Sequence, residues 1–215
     1  MKDLLAGYQR FRANGWPEQR RVFESLARHG QSPKALVVAC VDSRVDPANI
    51  FDAGAGDILT VRNVANLVPP YAPDAAYHGT SAALEFGVRV LQVRHLMVLG
   101  HGLCGGVQAL LQGDPNHAHE FIGPWMQIAQ PARVRAMGCA RIEDRQQRCE
   151  HEVIKVSLAN LLTFPWIAER VEAGQLTLDG AWFDIHTGEL LMLQPDGSFA
   201  PVSQDATIGL KPSAG

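Results

Sequence analysis

Among the 215 residues there is no long hydrophobic run, no excess of basic charge and little cysteine. The longest apolar stretches fall well short of the ~18 residues that a bilayer-spanning helix requires, so no membrane partner is expected. A formal net charge of −3 without a basic patch predicts no nucleic-acid partner and no attraction to an anionic membrane surface. The opening stretch MKDLLAGYQRFRANGWPEQ carries an acid at position 3 and only a short apolar segment, unlike a secretory signal. A cytoplasmic protein is therefore expected. The four cysteines are Cys40, Cys104, Cys139 and Cys149. In a reducing compartment they do not form a disulfide framework, which leaves metal binding, catalysis or plain burial.

What is present suits a single domain over residues 1–215, since 47% of the chain is hydrophobic, enough for a sizeable core. KDLLAGYQRFRA and PEQRRVFESLARHG read as two amphipathic helices, the second opened by Pro17 and closed by Gly30. KALVVACV is a short, Val-rich buried strand, residues 57 to 62 give a second, and RHLMVLGHG a third. YHGTSAALEFGVRVLQV and LCGGVQALLQG have helical spacing. Short helical pieces are expected from 114 to 140. EDRQQRCEHEVIKVSLANLLTF is the longest helical run, and PWIAERVEAG a shorter one. LTLDGAWFDIHTGELLMLQ reads as two strands joined at His186-Thr187-Gly188, and the tail (205–215) as loose. Alternating strands and helices predict an α/β fold, a mostly parallel sheet flanked by helices, with about four parallel strands and an antiparallel edge strand.

Two stretches carry chemistry. CVDSR, residues 40 to 44, ends the first apolar strand; if the strand persists, Cys40, Asp42 and Arg44 share a face. GHGLCGG, residues 100 to 106, ends the third strand in the same way. One turn of helix there aims His101 and Cys104 at a common point. Sites in open α/β sheets form at the carboxyl ends of strands where the strand order reverses. Together the two stretches offer two thiolates and an imidazole from Cys40, His101 and Cys104. That set suits zinc with an exchangeable fourth position, because structural zinc usually takes four protein ligands. Asp42 either closes that position or stands beside a metal-bound water. Cys139 and Cys149, far along the chain, read as core or helix-surface thiols.

CVDSR, VRNVANLVPPY and GHGLCGG, in this order and spacing, resemble the three motifs of the β-class carbonic anhydrases, and GAWFDIHTGEL resembles the late strand pair of that family. The resemblance implies reversible hydration of CO2 to bicarbonate and a proton by a zinc-bound hydroxide, with one Zn2+ per subunit on Cys40, His101 and Cys104. It implies a catalytic dyad of Asp42, which orients the hydroxide, and Arg44, which keeps Asp42 charged and off the metal. It implies a homo-oligomer, at least a dimer, in which the helices of residues 1–30 reach a partner subunit. Gln31 matches the glutamine of the substrate pocket, Leu59 and Phe86 stand where some members carry Phe and Tyr, and Gly102 lines the same pocket. Some members also bind bicarbonate at a second site built from a Trp, an Arg and a Tyr. Here those positions read Val37, Arg62 and Phe183, which predicts that this closure is absent.

Two other functions fit the same residues. One is hydrolysis of COS or CS2 on the same zinc site. The other is a non-catalytic zinc or redox protein, against which the Asp42–Arg44 pair argues. Arg62-Asn63 reads as structural or as a subunit contact, and His186 as a turn residue. His117 and His119, in the polar loop DPNHAHE, read as solvated; the alternative is proton transfer to buffer.

Overall fold

The computed structural model describes residues 1–74, 76–113, 120–138, 141–142 and 144–202. Cys139, His117, His119 and the expected loose tail lie outside these residues. Six strands form one sheet: β1 (Ala35–Cys40), β2 (Ile58–Asn63), β3 (His95–His101), β4 (Thr177–Phe183), β5 (Leu190–Leu193) and β6 (Phe199–Pro201). Their order is β2-β1-β3-β4-β5-β6. The first four are parallel, and β5 and β6 are antiparallel additions at one edge. The expected four parallel strands and antiparallel edge are present. The short β6, which ends in a proline, extends that edge by one strand more than expected.

Five of the six residues of β1 are buried, as a strand covered on both faces requires. The chain runs from β1 outward to β2, then returns to β3 on the other side of β1. The order therefore reverses between β1 and β3, and Cys40 and His101 close these two neighbouring strands.

Helices α1 (Lys2–Arg10) and α2 (Trp16–His29) are not separated by a break. A π-helical turn, Phe11–Gly15, joins them, with the Trp16 N–H donating to the Phe11 carbonyl. Pro17 has no N–H and its ring clashes with a regular helical carbonyl; the wider turn accommodates it without ending the helix. No residue of this amino-terminal helical arm is buried, although Leu4, Leu5, Tyr8, Phe11 and Val22 all lie on it. The remaining helices are α3 (Pro47–Ile50), α4 (Gly79–Glu85), α5 (Gly105–Gln112), α6 (Ile122–Met126), α7 (Gln130–Met137), α8 (Arg145–Leu161) and α9 (Pro165–Glu172). Among the described residues no helix is long and apolar enough to cross a membrane.

The long helix α8 lies on β3 and β4 and fixes the depth of the site. Its buried Ile154 seats over two glycines. A Cβ at Gly100 would fall 2.7 Å from the Ile154 Cδ1 atom, and one at Gly180 2.9 Å from Cγ2. The absent side chains thus let α8 approach the carboxyl end of the sheet. Gly180→Ala should cost roughly 1–3 kcal/mol through overpacking, since Leu158 and Leu193 also crowd the new methyl group. The expected fall in thermal midpoint is roughly 2–12 °C; an unchanged midpoint would show that Ile154 has room to move aside.

Candidate metal centre

The strand β1 ends at Cys40, so Asp42 and Arg44 are not on its continuing face as the extended spacing suggests; residues 41 to 46 turn. The turn itself unites them. The Arg44 N–H donates to Asp42 Oδ1 at 3.0 Å, Nε to the same oxygen at 2.9 Å, and Nη2 to Oδ2 at 2.7 Å. This bidentate guanidinium holds the Asp42 carboxyl well below the usual carboxylate range.

His101 and Cys104 do not share a helical turn either. His101 is the last residue of β3, and Cys104 is the N-cap of α5. Leu103 between them adopts φ 56, a left-handed conformation that a non-glycine residue rarely takes. The result is nonetheless the expected convergence. The ligand atoms of Cys40, His101 and Cys104, all three buried, lie within 4.8 Å of one another.

The donor set fits a metal ion. The two sulfurs are 4.0 Å apart, far beyond a disulfide bond and near the ~3.8 Å that two ~2.3 Å zinc–sulfur bonds span at a tetrahedral angle. His101 Nδ1 donates to the Gly102 carbonyl at 2.8 Å, which fixes the tautomer and leaves the Nε2 lone pair free. Nε2 is buried and has no hydrogen-bond partner. An orphaned, buried imidazole nitrogen beside two thiols is costly unless a cation receives it.

The charges agree. The Cys104 thiol, donating to Cys40, pulls Cys40 well below the ordinary thiol range despite burial, with help from His101 and the N–H groups of Asp42 and Ala65. Cys104 is correspondingly pushed far up by the sulfur it serves and by burial. One thiolate forms readily, and a second does not form without a positive charge between them. Burial pushes His101 down, but the Cys40 sulfur and the Gly102 carbonyl outweigh it and raise it. Metal binding therefore releases protons as it completes the site. Cys149, by contrast, is a core thiol on α8, pushed up to about 12 by burial.

Asp42 stands beside this seat, with Oδ2 4.0 Å from His101 Nε2. Arg62, read in the sequence as structural or a subunit contact, has a structural role within the chain. Its guanidinium donates to the carbonyls of Cys40 (2.9 Å) and Asp42 (2.6 Å) and pairs with Asp46 at 3.1 Å. It clamps the turn that carries both ligand and dyad. Ala65 is buried with φ 62, the local distortion that brings its N–H to the Cys40 sulfur.

The pocket residues are placed differently. Gly102 is buried at the centre, its N–H donating to the Phe183 carbonyl at 2.9 Å. Leu59 pairs with Leu36, four residues back along β2 from Asn63, the partner of Cys40, or about 13 Å from that level. Gln31 is exposed on the loop ahead of β1, at the opposite end of that strand from Cys40. Phe86 is exposed, and Gly87 beside it packs on Leu36 and Leu59. Within one chain, Gln31, Leu59 and Phe86 are not brought to the metal seat.

Glu150, Gln146 and Trp182 were not anticipated. Glu150 is 3% exposed on the buried stripe of α8 that continues through Ile154, Ser157 and Leu161. A carboxylate at an apolar-stripe position was the available signal.

A family model described as carbonic anhydrase matches residues 35–190. The chain is 39% identical over 208 residues to beta carbonic anhydrase 3 of Arabidopsis thaliana, covering 94% of this chain and 80% of that protein. It is 38% identical over 186 residues to the chloroplastic beta carbonic anhydrase 5 of the same plant, covering 85% of this chain and 61% of that one. The solved structure of the β-carbonic anhydrase CcaA superposes with a TM-score of 0.87 at 32% identity, covering 95% of this chain and 93% of the other. A structure from work on two tetrameric β-carbonic anhydrases of Sordaria macrospora gives 0.78 at 25% identity, covering 94% of this chain and 98% of the other. The matched segment contains Cys40, Asp42, Arg44, His101 and Cys104, and on these likenesses the chain belongs to the β-class carbonic anhydrases.

Proposed function

We propose that this chain catalyses the reversible hydration of CO2 to bicarbonate and a proton, with one zinc ion per chain held by Cys40, His101 and Cys104. The observation that carries the proposal is the Asp42–Arg44 pair standing 4.0 Å from an unpartnered, buried His101 Nε2. A purely structural metal needs no such pair. Bound there, zinc supplies the Lewis acidity that lets a water molecule act as a nucleophile near neutral pH.

The chain does the rest. The Asp42 carboxylate, kept ionised by Arg44, accepts a hydrogen bond from the attacking water and aims its lone pair at the substrate carbon. Arg44 also donates to the Leu103 carbonyl at 3.1 Å, so it cannot follow Asp42 if the carboxylate swings. Arg62 fixes the Cys40 and Asp42 carbonyls from behind. Each of its three nitrogens already donates within the chain, and Val37 and Phe183 offer no side-chain donor. This supports an enzyme without bicarbonate closure, in which Asp42 stays on Arg44. That Cys40, Cys104 and Cys149 are unpaired among the described residues is compatible with the cytoplasmic location we propose.

Gln31, as a donor to substrate oxygen, and Leu59 and Phe86, as apolar wall, complete the pocket from a second chain. Support comes from their distance from the seat within one chain and from the wholly unburied arm of α1 and α2. An apolar cleft of about 830 Å3, lined by Val41, Val64, Tyr77, Phe121 and Trp125 among others, adds a second uncovered surface at the carboxyl end of β2.

Stopped-flow CO2 hydration with metal analysis tests the reaction. The wild type should hydrate CO2 in proportion to its zinc content. Asp42→Asn should keep the zinc and lose on the order of 10²-fold in rate, the scale of a positioned orienting group. A zinc-loaded wild type without activity, or an undiminished Asp42→Asn variant, contradicts the proposal.

Mixed oligomers test the shared pocket. Gln31→Ala and Cys40→Ala chains are each expected to be impaired. Refolded together, they should recover activity above the sum of the two parents. In a mixed pair the Cys40→Ala chain lends its Gln31 to the intact metal seat of the other. No recovery would place Gln31 in its own chain's site.

A further inference from the structure

Glu150 is a buried carboxylate that the proposed reaction does not use, yet it binds the backbone of a proposed metal ligand. Oε1 accepts the Cys104 backbone N–H at 3.0 Å and the Gln146 Nε2 donor at 2.7 Å. Oε2 accepts the Trp182 indole N–H at 3.1 Å. Gln146, one helical turn earlier on α8, also donates to the Cys104 carbonyl at 3.2 Å. Both polar groups of the Cys104 backbone are therefore gripped by two side chains of one helix.

The peptide between Leu103 and Cys104 links this grip to the dyad. Its carbonyl accepts Arg44 Nη2 at 3.1 Å, and its N–H is the one that Glu150 accepts. The peptide lies between the guanidinium that holds Asp42 and the buried carboxylate. Leu103, at φ 56, sits in the sparsely populated left-handed region, where rotation of a flanking peptide is the obvious escape from strain. A carboxylate accepting the N–H from one side and a guanidinium donating to the carbonyl from the other oppose that rotation.

We infer that Glu150, with Gln146 and Trp182, is a positioning clamp: it locks the Leu103–Cys104 peptide so that the Cys104 sulfur faces the metal and Arg44 stays on Asp42. The inference rests on the zinc reading proposed above. The hydrogen bonds of these three side chains run to the Cys104 backbone and to one another, so the clamp acts through Cys104 and Arg44. Outer-shell partners of metal ligands are typically worth 10–100-fold in metal affinity or activity, and Glu150 belongs to that group by geometry.

The test uses the zinc-loaded full chain and reads zinc retention against a competing chelator, with the absorption spectrum of the cobalt-substituted protein as a second readout. Glu150→Gln keeps size and shape but turns an amide donor toward either the Cys104 N–H or the Trp182 N–H. It should lose zinc about 10–100-fold more readily and shift the cobalt spectrum, with kcat falling more than KM rises. Trp182→Phe keeps a ring and removes the outer donor. It should shift both readouts the same way by less, and add little to Glu150→Gln in the double variant. If Glu150→Gln does not fold, Gln146→Leu decides, since it removes the side-chain donor to the Cys104 carbonyl, which keeps only the Gln108 N–H, and leaves Glu150 in place; it too should lose zinc faster.

Wild-type zinc retention and cobalt spectrum in Glu150→Gln, even with a lower thermal midpoint, would overturn the clamp and leave Glu150 a structural residue. Unchanged retention in Gln146→Leu would do the same where Glu150→Gln cannot be made. A wild type that holds zinc but does not hydrate CO2 overturns the functional proposal and not the clamp. A wild type that binds no zinc overturns both.

Discussion

Two sulfur atoms 4.0 Å apart in a buried space do not both carry charge unless a cation lies between them. Around this pair the fold adds an imidazole whose outward nitrogen is tied to a carbonyl and whose inward nitrogen has no partner. Most features near the carboxyl ends of β1 and β3 follow from holding these three atoms still. Arg62 pins the turn after Cys40, Ala65 and Leu103 take left-handed backbone on either side, and α5 begins at Cys104. The glycines under Ile154 let α8 come close enough for Glu150 and Gln146 to reach the Cys104 backbone. The seat offers three side chains that could hold a metal ion, and Arg44 holds Asp42 beside them.

The parallel sheet was legible in the sequence because its strands are short, apolar and fully covered, and their patterns differ sharply from the helices between them. The convergence of Cys40, His101 and Cys104 was legible because Cys40 and His101 end apolar strands, where a buried sheet must turn, and Cys104 follows three residues later at the start of α5. Their meeting follows from the strand order, since β1 and β3 are neighbours at the reversal point. The dyad was legible as a pair but not as a geometry. Alternation along a strand predicted one shared face, whereas a turn after Cys40 brings Asp42 and Arg44 together through a backbone hydrogen bond that no periodicity encodes.

What was not legible depends on long-range contact. Glu150 and Cys104 are 46 residues apart, and Trp182 and Glu150 32 apart. Only the docking of α8 on the sheet joins them. The π turn at Phe11–Gly15 escaped because proline before a helical pattern ordinarily marks a start, and here the helix widens around it instead. The exposed apolar side chains of α1 and α2 are left uncovered among the described residues.

The claim at the centre of this account is the ligand set, and X-ray absorption at the zinc edge of the purified protein addresses it directly. The expected first shell is two sulfurs at ~2.3 Å, one imidazole nitrogen at ~2.0–2.1 Å and one oxygen, the oxygen being retained in Asp42→Asn because it comes from solvent. A third sulfur, a second imidazole, or an oxygen shell that disappears in Asp42→Asn would contradict a three-ligand seat with its fourth position open to water.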